Sequence, residues 1–182
     1  MDNSGSSLKP TVLGAVITMA LQIIIAPNIA INDVVPNFAL LFTVITAIRY
    51  GSMRASTVGF ILGLIYDLIA QGPIGVMPLV LSLLGYGAGS LNKGMLAGSL
   101  PMQLGMILVA VFFGELLHSV ILAIIGYDSD FLMSLLMRVL PGTVYDSVIG
   151  LILLPLLTRG DNSRKRRSES SLRSIDMRRK RR

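Results

Sequence analysis

The sequence predicts an all-α polytopic membrane protein with six transmembrane helices, and three observations carry that expectation. Hydrophobic residues make up 53% of the 182, and mean hydropathy is +0.72. Charge is sorted along the chain: residues 1–158 hold five Lys/Arg against seven acids, net −2, whereas residues 159–182 hold eleven against three, net +8. Twelve charges are too few to cover a soluble surface of that length, and a bilayer-embedded chain has no such need. Apolar segments also recur along the first region, separated by Gly/Pro or charged breaks. The expected organisation is a transmembrane domain over 1–158 and a disordered basic cytoplasmic tail over 159–182.

Segment one, Pro10–Ala26, follows Lys9 and is closed by Pro27-Asn28. No small-x-small cleavage site follows it, so it reads as a retained span rather than a signal peptide. Segment two, Val34–Ile48, contains Pro36-Asn37 near its start and ends at Arg49. As a helix it covers only about 22 Å, short of the roughly 30 Å hydrocarbon core. Such a span is either shielded by its neighbours or borders a site. Segments three (Ala55–Ala70) and four (Val76–Leu91) form a hairpin across Gly72-Pro73-Ile74-Gly75. Segment five covers Met102–Ile125. Segment six covers Leu132–Leu157, with a bend expected at Pro141-Gly142.

Loop charges orient these six spans. Lys9, Arg49, Arg54, Lys93 and the tail fall on one side, Asp33, Asp128 and Asp130 on the other. The positive-inside rule then places both termini in the cytoplasm, as for a multi-pass membrane protein.

Within the hairpin, Gly59/Gly63 and Gly85/Gly89 each repeat at four-residue spacing, which stacks them on one helix face for close packing within the chain or against a partner's helix. Asp67, Gly72, Pro73, Gly75 and Tyr86 are expected to shape the outer end of this hairpin. Five titratable groups fall inside the spans: Asp67, Glu115, His118, Arg138 and Asp146. A charge facing lipid at a helix centre costs about 2.5–3.5 kcal/mol by insertion scales, so these groups should turn inward. Arg138 is expected to neutralise Asp67. Glu115, His118, Tyr145 and Asp146 are expected to form a polar cluster.

Several chemistries are excluded. There is no cysteine and one histidine, so neither disulfides nor a Cys/His metal site can form. Glu115-Leu-Leu-His118 matches half of a di-iron site, but the second half is missing, and no cofactor is expected. No nucleophile elbow or His-Glu-x-x-His occurs, which argues against an enzyme. The tail clusters Arg164, Lys165, Arg166, Arg167 and Arg178, Arg179, Lys180, Arg181, Arg182 fit anionic lipid, at about 1 kcal/mol per basic residue near the surface, better than nucleic acid.

The hairpin residues G-F-I-L-G-L-I-Y-D-L, G-P-I-G and L-V-L-S-L-L-G-Y-x-A-G resemble the MreD family of bacterial rod shape-determining membrane proteins. Pro36, the Arg49/Arg54 loop and the L-P-x-x-x-Y at Leu140–Tyr145 extend the resemblance over residues 10–158. Two positions depart from it: Asn37 stands where the family commonly has Asp, and Asp146 where a neutral residue is usual. The long basic tail is not a usual family feature. The resemblance implies a non-enzymatic subunit of the cell-elongation machinery for lateral peptidoglycan synthesis. Its partners would be MreC and, through it, a RodA-type glycan polymerase with its transpeptidase and MreB filaments. It also implies a fold similar to the S components of energy-coupling-factor transporters. The alternative is a substrate-binding, S-component-like subunit of a vitamin or small-solute transporter. Against it, Ala15 and Ala20 are five apart and miss the Ala-x-x-x-Ala pattern of such subunits.

Overall fold

The computed structural model describes residues 5–32, 34–70, 72–91, 100–127 and 130–153. Six helices follow one another among them: α1 Gly5–Ile24, α2 Phe38–Tyr50, α3 Ser52–Ile69, α4 Val76–Leu91, α5 Leu100–Ile124 and α6 Phe131–Leu153. No strand is present among the described residues, only an isolated bridge between Ile31 and Val34. Contact clustering places residues 1–150 in one compact unit and begins a second at Leu151, of which only 151–153 are described. The boundary expected at 158/159, the basic tail and Lys93 lie outside the described residues.

Three of the six helices are long and apolar enough to cross a membrane: Ser52–Ile69, Pro101–Ile124 and Phe131–Leu153. The apolar helices Leu8–Ile24, Phe38–Tyr50 and Val76–Leu91 are shorter. The exterior is greasy throughout: Val12, Val16, Phe60, Leu64, Leu68, Leu83, Phe113, Leu136 and Val148 are among the exposed large side chains. A soluble surface does not present apolar area on this scale.

Helix α2 is the shaft of the bundle, packed against α1, α3, α4 and α5. Nine of its thirteen residues are buried, including Leu40, Leu41, Thr43 and Val44. Its polar Thr43 closes on its own helix, donating to the Ala39 carbonyl at 2.8 Å. At about 20 Å it is even shorter than the sequence reading allowed. Its start is fixed by Asn37, whose side-chain oxygen accepts from the Leu40 N–H at 3.0 Å as an N-cap. Buried Gln22 of α1 ties the entry segment down: its amide donates to the Pro36 carbonyl at 3.1 Å and accepts from the Phe38 N–H at 2.8 Å. The chain just before α2 is thereby bound to α1.

A single residue, Gly51, joins α2 to α3, with φ +87° in the left-handed region. Beside it, Arg49 and Arg54 lie 5.5 and 5.8 Å from the Tyr50 ring centroid. Helices α3 and α4 make the most extensive contact of the fold. A Cβ on Gly59 would fall 2.6 Å from the Leu81 carbonyl oxygen, and one on Gly63 2.5 Å from the Pro78 nitrogen. From the other helix, a Cβ on Gly85 would fall 2.7 Å from the Ala55 carbonyl and one on Gly89 2.4 Å from the Ser52 backbone. Two backbones therefore touch along the whole hairpin. All four glycines are used inside the chain, so none of this face is open to a partner helix.

The start of α1 and the middle of α6 differ from the sequence reading for physical reasons. Helix α1 begins at Gly5 and carries Pro10 inside it. So near an N-terminus a proline removes a single helical bond. In α6 the irregularity precedes the proline: Leu135–Val139 is a π turn, and the Leu140 N–H bonds back to the Leu135 carbonyl. The Pro141 ring collides with the carbonyl four residues earlier, and widening the preceding turn relieves that collision.

Candidate functional site

A polar cavity of about 120 Å³ lies where α2 and α4 begin and α3 ends. Its polar walls are Asn37, Tyr66, Glu115, His118, Arg138 and Asp146, closed by Val34, Val35, Met77 and Gly142. The late start of α2 makes the room, because the chain before Phe38 is not helical and turns into the bundle.

Asn37 organises one wall. Its backbone N–H donates to Asp146 Oδ1 at 3.0 Å, and its side-chain amide donates to Glu115 Oε1 at 3.2 Å. One residue thus holds two carboxyls from two different helices while capping a third with its oxygen. Asp146 is 1% exposed, so its remaining oxygen has only the cavity to face. His118 follows Glu115 by three residues on α5 and shares its face. The π turn of α6 carries Arg138 to the same cavity. Nothing among the described residues forms a cluster of three metal-capable side chains.

Of the expected polar cluster, Glu115, His118 and Asp146 line this cavity, and Arg138, expected beside Asp67, lines it with them. Tyr145 is not among its lining residues: its hydroxyl donates to the Ile29 carbonyl at 2.7 Å, bracing α6 against the turn after α1. The expected pairing of Arg138 with Asp67 is replaced by another arrangement. Asp67, 6% exposed, accepts from the backbone N–H groups of Gly75 and Met77 at 2.8 and 3.2 Å. Its carboxyl is the cap of α4, where free N–H groups and the positive end of the helix dipole favour it. Gly75 permits this turn with φ +107°. Gly72 and Pro73 belong to the same turn, and Gly72 has open space around it. Tyr86, expected at the outer end of the hairpin, sits ten residues into α4 and is 53% exposed, so it has no part in the turn.

Sequence reasoning missed three contributors. The sequence reading gives Asn37 no partner beyond its place near the start of segment two, although Pro-Asn before an apolar run is an N-cap signal. Tyr66 was overlooked beside Asp67. Gln22 was lost in an apolar segment, yet a lone amide there needs a buried partner. A second, wholly different cavity of about 320 Å³ lies between α1 and α3, lined by Val12, Val16, Met19, Ile61 and Leu62.

A protein-family model described as rod shape-determining protein MreD matches residues 7–159. The chain belongs to the MreD family. The match takes in all six helices, the α3/α4 glycine contact and every residue of the polar cavity. The MreD-family chain is therefore a membrane protein of the MreBCD rod-shape system, which determines cell shape. Comparisons with curated proteins and with solved structures give no match.

Proposed function

We propose that this MreD-family protein is a non-enzymatic adaptor of the bacterial elongation machinery, holding MreC beside the RodA-type polymerase and its transpeptidase, with MreB filaments reached through MreC. The family match over residues 7–159 is the observation that carries this reading. The greasy exterior supports it, since an adaptor working inside the bilayer needs faces on which other transmembrane helices can lie. In this reading all six helices span the inner membrane in an arrangement similar to S components, with both termini cytoplasmic. The short helix α2 is covered by its neighbours. The tail's two basic clusters then rest on anionic lipid of the inner leaflet. Nothing in the comparisons favours the solute-transport alternative.

Affinity purification of the full chain in mild detergent tests the proposal: MreC is expected to come with it in stoichiometric amount. Recovery of intact, monodisperse protein without MreC from cells that express both would overturn the adaptor reading.

A further inference from the structure

We propose that the polar cavity between α2, α5 and α6 is a binding site for a small zwitterionic head that carries a primary ammonium and an anionic group. The inference rests on the geometry of the cavity and does not depend on the adaptor role. Asn37 occupies one oxygen of Asp146 and one of Glu115. Oδ2 of Asp146 and Oε2 of Glu115 have no hydrogen bond among the described residues. Two carboxyl oxygens therefore meet one space, and they are fixed in place rather than free to turn away. Arg138 lines the same space, with no ion pair to either carboxyl among the described residues. Acceptors for an ammonium and a forked donor for an anion thus line one cavity, and no direct ion pair ties them together.

Size and lining narrow the chemistry. The cavity volume is about 120 Å³. That holds a compact head and excludes a drug- or vitamin-sized ligand, whose pockets run to about 300–1,000 Å³. Carboxylate oxygens need N–H donors, which a primary ammonium has and a quaternary one lacks. A quaternary head is recognised instead by an aromatic cage, and Tyr66 is the lone tyrosine, phenylalanine or tryptophan of this lining. The anionic group belongs on Arg138, whose planar fork suits a phosphate or carboxylate. The head can belong to a phospholipid of the surrounding bilayer or to a free small molecule. One chemistry covers both.

The experiment uses the full-length protein in nanodiscs made with phosphatidylethanolamine, its N-methyl and N,N-dimethyl derivatives, or phosphatidylcholine, all with the same acyl chains. Lipid retained on the protein after detergent stripping is counted by native mass spectrometry. Retention is expected to fall with each methyl added, by at least tenfold over the series. A second arm titrates delipidated protein with phosphoethanolamine and reads thermal stability. A lipid preference assigns the head to the bilayer, and a stabilising shift with the free compound alone assigns it to a soluble ligand. Equal retention across the series together with no shift overturns the proposal. Glu115→Gln, Asp146→Asn and Arg138→Gln, each purified as a monodisperse species, are expected to lose binding at least tenfold. Wild-type binding in all three would mean an annular lipid effect and would also overturn it. The methylation series needs only the wild-type chain, so it decides the matter even where a variant does not fold.

Discussion

Gly89 and Gly87 stand two residues apart on α4 and predict opposite outcomes. A Cβ on Gly89 would lie 2.4 Å from the Ser52 backbone, whereas one on Gly87 meets nothing within 4 Å. Gly89→Ala should therefore push α3 and α4 apart and cost about 1–3 kcal/mol, the usual range for overpacking. Gly87→Ala should be neutral or stabilising by about 0.5–1 kcal/mol, since alanine restricts the unfolded chain. Thermal denaturation of the two purified variants separates them, and equal midpoints would contradict the backbone contact. A second pair concerns the cavity. Asn37→Asp removes the amide donated to Glu115 and sets a third carboxyl beside two others. It should lower stability or yield, and Asp146→Asn in the same chain should recover at least half of the loss. Additive effects in that double-mutant cycle would contradict the contact, because touching residues couple by about 0.5–3 kcal/mol.

At the scale of the element, the cap of α4 and the π turn of α6 carry the predictions. Asp67→Ala removes the acceptor for the Gly75 and Met77 N–H groups and should cost about 0.5–2 kcal/mol, as N-cap losses do, with Asp67→Asn intermediate. Pro141→Ala should let Leu135–Val139 return to regular α geometry, turning Arg138 by roughly 100° relative to the residues after it. The chain has no cysteine, so single-cysteine labelling at position 138, with and without the proline, reads that rotation directly. Unchanged accessibility would show that the proline is not the cause. The elements themselves were legible, and α4 was read to its residue bounds, because runs of apolar residues between breakers leave few alternatives. What the sequence did not reveal was who faces whom. Depth along a span suggested Asp67 for Arg138, but depth carries no information about rotation around the helix axis. The short local turn at Gly75 gave Asp67 nearer partners. The glycine pairs were likewise visible as a stripe, while their target needed the α3/α4 contact itself.

At the scale of the bundle, the main finding is that the polar groups of the cavity and the four hairpin glycines are spent inward, while large apolar side chains lie on the outside of the described residues. The six-helix count followed from the recurring apolar runs, and the inward turn of Glu115, His118 and Asp146 from the cost of charge in hydrocarbon. The cavity did not, because it depends on a non-helical entry to α2 held by Gln22 and Asn37, two neutral residues in greasy surroundings. That entry has a further effect on how the protein is made. A thirteen-residue rod emerging from the insertion machinery cannot bridge the bilayer unaided, and its ends would drag bare peptide groups into oil. It can settle only once later-synthesised helices arrive to sheathe it. Chains arrested after residue 51 are therefore expected to be cleared by membrane proteases, and chains arrested after residue 91 to accumulate, so that the birth of the protein is timed by its shortest helix.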